Sequence, residues 1–147
     1  MKLHTASSVI SFARELENSS AQFYEDLAQK YTKDKDALLS FTKENKRNII
    51  EFERAYYGVI TDALEGCFAF EIEPDEYAFE CTLGEKITYP EALEKAIGIE
   101  EKMVKFYSDA AEQSRSLMAD VPRVFTIIAK KRRNREPKLR LLLSEEG

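Results

Sequence analysis

The sequence of 147 residues predicts an all-α protein, a bundle of four long helices. Along four separate stretches, apolar residues recur at alternating gaps of three and four. This is the spacing of a helical face that packs lengthwise on other helices. Only five glycines and four prolines interrupt the chain, which also favours long helices. The stretches are alike in pairs, which indicates two related helical hairpins.

The expected helices span about 7–30, 35–65, 89–114 and 120–142, within one domain covering residues 1–147. Ser7 or Ser8 is the expected N-cap of the first helix. Thr88 and Glu91 have the spacing of a capping box at the start of the third. Pro137 lies inside the fourth helix and should kink or loosen it. The last four residues are expected to be a frayed tail.

Residues 67–87 lack the helical spacing and form the long connection between the second and third helices. Apolar residues alternate here in two runs, Phe68, Phe70 and Ile72, then Tyr77, Phe79, Cys81 and Leu83. The alternation is typical of a short β-hairpin, or of an extended crossover whose aromatic side chains lie on the bundle. Cys67 and Cys81 could pair only across such a hairpin, and free thiols are expected in a reducing cytoplasm.

Polar residues interrupt each helical face near its middle. They are Glu17, Asn45, Asn48, Glu100, Arg132 and Arg135. A buried charge is costly unless it is paired. We therefore expect the two glutamates to meet the two arginines in a neutral cluster, in which the asparagines satisfy remaining donors and acceptors. In the alternative, the arginine stems pack on the bundle and their heads reach solvent.

The two halves of the chain repeat each other. ELENSSAQFYEDLA at 15–28 matches GIEEKMVKFYSDAA at 98–111, and TKENKRNIIEF at 42–52 matches AKKRRNREPKL at 129–139. In the first pair, Glu17 precedes Tyr24 by seven residues, as Glu100 precedes Tyr107. With this pattern the chain resembles the rubrerythrin-like branch of the ferritin-like superfamily. The resemblance implies a ferritin-like four-helix bundle with a long crossover between its halves.

The resemblance also implies a di-iron site, which this chain has largely lost. In that family, the glutamates of the first and third helices bind iron, and the second and fourth helices each supply Glu-x-x-His. Here Asn45 and Asn48 occupy those positions in the second helix, and Arg132 and Arg135 occupy them in the fourth. Two carboxylates are few for iron, and two guanidiniums would repel a cation.

The tyrosines lie on the same helical faces as the glutamates. Redox-active tyrosines are conceivable in such a bundle. We instead expect Tyr24 and Tyr107 to donate hydrogen bonds to carboxylates, which is the commoner role of a tyrosine in a core.

These features favour a non-catalytic structural or interaction module without a cofactor. One alternative is a metal-binding oxidoreductase of the rubrerythrin type, with iron or another divalent metal on Glu17 and Glu100. A second alternative is a small-anion-binding module that uses Arg132 and Arg135. Family habit suggests a homodimer, and the sequence does not identify a protein partner.

Charge and composition argue against several other classes. The net charge of −5 argues against a dedicated nucleic-acid binder, despite the basic run KKRR at 130–133. No apolar run has the length of a membrane span, and the N-terminus lacks a signal-peptide core, so a cytoplasmic protein is expected. The single histidine, His4, lies in the expected N-terminal tail and is not expected to bind metal.

Overall fold

The structure, a computed structural model, describes residues 2–59, 68–115 and 120–146. These residues form helices α1 (Ala6–Lys30), α2 (Lys35–Val59), α3 (Tyr89–Ser114), α4 (Val121–Arg133) and α5 (Arg135–Glu146), and strands β1 (Leu3–Thr5) and β2 (Phe68–Ile72). The all-α prediction is confirmed. The predicted last turns of the second helix, at 60–65, and any pairing of Cys67 lie outside the described residues.

The helices pack as a bundle around one apolar core. Helix α1 packs along α2, and α3 packs along α4 and α5, while contacts of α2 with α4 and of α1 with α3 join the two pairs. Among the largest fully buried apolar side chains are Phe23, Leu27, Phe52, Phe106 and Phe125. Burying a side chain of this size contributes about 1.5–3 kcal/mol. None of the described helices is long and apolar enough to cross a membrane.

Local hydrogen bonds determine where two helices begin. Helix α1 starts at Ala6 because Thr5 is its N-cap, with Oγ1 accepting from the Ser8 backbone N–H at 3.2 Å. The predicted cap at Ser7 or Ser8 is therefore wrong. At the start of α3, Thr88 and the side chain three residues later form the predicted capping box.

The predicted fourth helix is divided at Asn134, between α4 and α5. Pro137 has no backbone N–H, and its ring would collide with the carbonyl four residues earlier, that of Arg133. The loosening predicted for this proline is thus confirmed. The predicted frayed tail is wrong, because α5 continues to Glu146, whose carboxylate forms an ion pair with Lys33.

Strand β2 pairs with the N-terminus instead of folding back as a hairpin. It runs antiparallel to β1, with Leu3 opposite Ile72. The predicted hairpin is therefore wrong, whereas the extended crossover packed on the bundle is correct: Phe70, Ile72 and Tyr77 are buried. His4 lies in β1, with Nδ1 3.1 Å from the carbonyl oxygen of Phe70.

Cys81 lies in the same crossover. Its thiol is free, as expected, and its side chain is partly buried against the core. Four residues earlier, Tyr77 donates from its hydroxyl to Asp109 Oδ2 at 2.7 Å, which ties the crossover to α3. The described part of the crossover, from residue 68 onward, is thus part of the packed structure.

We predict that Ile72→Ala costs about 2–5 kcal/mol in the free energy of unfolding, because the side chain of Ile72, a residue of the crossover, is fully buried. Urea denaturation followed by circular dichroism measures this loss. Asp75→Ala, at an exposed position three residues later, is the control and should change stability by less than about 0.5 kcal/mol. Equal, small effects of both substitutions would mean that the crossover does not pack on the bundle.

Candidate functional site

The six polar residues of the helical faces meet in one cluster in the middle of the bundle. Their exposures are at most 1%: Glu17, Asn45, Asn48, Glu100, Arg132 and Arg135. They come from all five helices, since the break at Asn134 separates the two arginines. The arginine heads are thus buried among the helices instead of reaching solvent at the bundle edge.

Arg132 joins the two buried glutamates. Its Nε and Nη2 donate to Glu17 Oε2 at 3.1 and 2.9 Å, and its Nη1 donates to both carboxylate oxygens of Glu100 at 2.7 and 2.8 Å. Nη2 also donates to Asn45 Oδ1 at 3.1 Å. The planar fork of arginine suits this task, because it directs several donors at carboxylates in fixed directions. One guanidinium on α4 therefore holds carboxylates from α1 and α3.

Arg135 extends the cluster toward the surface. Its Nη1 donates to Glu100 Oε2 at 3.3 Å, and its Nε donates to Glu44 Oε1 at 3.0 Å. Its Nη2 donates to the backbone oxygen of Phe41 at 3.0 Å and to Asn45 Oδ1. Glu44 was not among the site residues predicted from the sequence. Its position beside Asn45 was a signal, because neighbouring residues of α2 can flank the same arginine.

The two tyrosines bind the glutamates in a crossed pattern. Tyr24 of α1 donates to Glu100 Oε2 of α3, and Tyr107 of α3 donates to Glu17 Oε2 of α1, both at 2.7 Å. Burial and the adjacent carboxylate raise the pKa of each tyrosine well above its ordinary value. Both hydroxyls therefore stay protonated and act as donors. The crossing follows from the repeat, because each half presents a glutamate and a tyrosine to the other.

The two asparagines differ in how well they are satisfied. Asn45 donates from Nδ2 to the Glu17 backbone oxygen at 3.2 Å and to Ser20 Oγ at 3.0 Å, while its Oδ1 accepts from both arginines. Asn48 donates from Nδ2 to Glu17 Oε1 at 3.3 Å. Its Oδ1 is buried and has no hydrogen-bond partner among the described residues. Ser20 was also missed, although it lies on the apolar face of α1, one helical turn after Glu17.

Charge pairing opposes the effect of burial on Glu100 and Arg132. Burial alone would raise the pKa of Glu100, but Arg132 and Arg135 hold it below the ordinary value. Burial would lower the pKa of Arg132, but Glu100 and Glu17 raise it well above the ordinary value. Two buried carboxylates thus balance two buried guanidiniums. The third carboxylate, Glu44, is one-third exposed and is partly screened by solvent.

The donor set does not fit a pair of iron ions. Glu17 and Glu100 supply two carboxylates, and both are already bound to guanidinium groups. The cluster has no imidazole, and a guanidinium has no lone pair to offer a metal. In residues 2–59, 68–115 and 120–146, no group of three or more His, Cys, Asp or Glu side chains is placed to hold a metal ion.

The arrangement therefore favours structural support over proton transfer. Arg132, Arg135 and Tyr24 all donate to the carboxylate of Glu100, so this group is not free to act as a base. The tyrosine hydroxyls keep their protons at neutral pH. What the cluster can do is fix the relative positions of the helices that contribute to it.

We predict that Arg132→Ala and Glu100→Ala each cost about 3–5 kcal/mol in the free energy of unfolding, because each strands an opposite charge in the core. The double variant should lose much less than the sum of the single losses. Urea denaturation of the three variants and the original chain completes the cycle. Arg140→Ala, which removes an exposed ion pair with Glu136, is the control and should cost about 0–1 kcal/mol. Small, additive losses would contradict the buried network.

We also predict that the chain loses stability in acid through Glu100. The pKa of Glu100 is lower in the folded than in the unfolded chain, so its contribution is present above about pH 4.3 and is lost as pH falls through the folded-state pKa. Unfolding free energies measured between about pH 5 and pH 2 should fall less steeply for Glu100→Gln than for the original chain. Glu94→Gln, at an exposed position of α3, is the matched control. Parallel curves for all three proteins would contradict this assignment.

Comparison with other proteins leaves the site to be interpreted from its own geometry. No protein-family model, no curated protein and no solved structure matches the chain. Any function must therefore be inferred from the buried cluster. Its defining feature is the guanidinium of Arg132, bound between Glu17 and Glu100.

Proposed function

We propose that this chain is a ferritin-like bundle of the rubrerythrin type in which a Glu–Arg–Asn network takes the place of a di-iron centre. In this proposal the protein is a non-catalytic structural or interaction module. The observation that carries it is the position of Arg132, whose guanidinium donates to both buried glutamates. This cation bridges two carboxylates from α1 and α3 and neutralises their charge, as a metal ion would.

The six positions that correspond to iron ligands in that family lie together in this chain, and this supports the proposal. The resemblance assigns metal ligands to two residues of the second helix and two of the fourth, besides the two glutamates. All six side chains contribute to one buried cluster. Residues that had changed at random after the loss of a metal would not be expected to form so many hydrogen bonds with one another, since buried polar groups without partners are costly.

The network suits a protein whose task is to keep a fixed shape. Buried hydrogen-bonded charges add little net stability compared with apolar packing, but they penalise every arrangement in which a partner is missing. A homodimer and a cytoplasmic location belong to the same proposal. Large exposed apolar side chains that a second copy could cover include Ile50 and Tyr57 on α2 and Ile127 on α4.

The other two functions expected from the sequence have less support. An oxidoreductase would need metal ligands beyond Glu17 and Glu100, and their carboxylates are engaged by arginines. An anion site made by Arg132 and Arg135 would need free donors. Every nitrogen of both guanidiniums already donates to an oxygen of this chain.

We predict that the protein, purified without chelators, carries less than about a tenth of an iron or manganese ion per chain, because two arginine-bound carboxylates make a poor site for such metals. Elemental analysis by mass spectrometry measures the content. One or two stoichiometric metal ions per chain would contradict the proposal and favour the oxidoreductase.

Restoring the metal ligands tests the proposed relation of this chain to the rubrerythrin-like family. The variant Asn45→Glu/Asn48→His/Arg132→Glu/Arg135→His restores the ligands that the resemblance assigns, and we expect it to bind Fe²⁺ with a stoichiometry near two. The partial variant Asn45→Glu/Asn48→His, which keeps both arginines, should not bind. A quadruple variant that is folded by circular dichroism yet binds no metal would contradict the alignment with that family.

A further inference from the structure

A basic cavity lies at the surface above Arg135. It has a volume of about 310 Å³ and opens between α2 and the junction of α4 and α5. Its lining contains five cationic side chains and one carboxylate: Lys43, Arg47, Lys131, Arg135, Lys138 and Glu44. Such an excess of positive charge contrasts with the net charge of −5 of the whole chain.

Three of these cations are not neutralised within the described structure. Lys131 pairs with Glu51 at 3.2 Å, and Arg135 pairs with Glu44 and Glu100. The remaining cations of the lining are Lys43, Arg47 and Lys138. Within the described residues 2–59, 68–115 and 120–146, these three side chains form no ion pair with a carboxylate. Three unpaired positive charges therefore surround one concave site.

The like charges of this lining repel one another. Lys43 and Arg47 are four residues apart on α2, a spacing at which like charges repel across one helical turn. Lys138 approaches them from α5, and the pocket floor is the almost fully buried Arg135. A concave site lined by one sign of charge focuses the field and concentrates counter-ions.

We propose that this cavity binds a small phosphate anion of the diphosphate class. Arginine provides planar forks of donors and lysine provides compact charges, and both groups are well suited to phosphate oxygens. The volume is near the lower end of ligand pockets, which fits a small ion better than a large metabolite. This inference does not rest on the proposed function, because none of the unpaired cations belongs to the buried cluster.

The surroundings of the cavity favour a small anion over a nucleic acid. Sequence-independent binding of single strands combines a positive track with exposed aromatic rings on which bases stack. The ring in this cavity is that of Phe41, which is 4% exposed and is covered by the guanidinium of Arg135, 4.9 Å from the ring centre. It offers no free face to a base.

Isothermal titration calorimetry with inorganic pyrophosphate at low ionic strength tests the proposal. The original chain should bind one pyrophosphate, and the variant Lys43→Ala/Arg47→Ala/Lys138→Ala should bind it about tenfold more weakly or worse. The control variant Lys46→Ala/Lys102→Ala/Lys130→Ala removes the same charge from exposed positions outside the cavity and should keep the original affinity within a few-fold. Circular dichroism checks that both variants are folded.

A second variant should act in the opposite direction. Glu44→Gln removes the negative charge from the lining and weakens the interaction with Arg135 Nε, so pyrophosphate should bind several-fold more tightly. Damage to the fold could not produce that gain. No heat of binding in the original chain, or equal losses in both triple variants, would overturn the proposal. Tight binding of a single-stranded oligonucleotide that pyrophosphate does not displace would also overturn it.

Discussion

The structure depends on one constraint, which is that the buried guanidinium of Arg132 must keep both of its carboxylates. A charge in a dry core costs several kcal/mol unless its partners are close and well aligned. Glu17 and Glu100 meet this requirement only when α1, α3 and α4 have one particular axial register. Apolar packing alone tolerates small shifts between helices. The network therefore specifies the arrangement that the apolar faces merely permit.

Much of this arrangement could be predicted from the sequence, because it depends on the regular spacing of apolar and polar residues along the helices. The alternation of gaps of three and four gave the helices, and the polar residues interrupting it identified the buried cluster. Charge balance alone predicts that Glu17 and Glu100 pair with Arg132 and Arg135. Both patterns depend on local spacing and charge, which a single sequence displays directly.

Other features depend on contacts that no spacing reveals. Phe70 and Ile72 alternate as a strand should, but their partner is β1, which has only three residues and is too short to show an alternation of its own. Thr5 caps α1 because the chain is extended there by that pairing, and the neighbouring serines offered equally good capping chemistry. Glu44 was missed since a carboxylate at the rim of a helical face usually points to solvent.

The crossed contacts between the two halves have a consequence for how the chain folds. The half containing α1 and α2 holds Glu17 without a counter-charge, and the half containing α3 to α5 holds two guanidiniums for the single carboxylate of Glu100. Arg132 meets Glu17 across 115 residues of sequence. Neither half can therefore neutralise its own buried charges, although each half repeats the other in sequence. Burying these charges is favourable only once the halves dock, so we expect the two halves to unfold together.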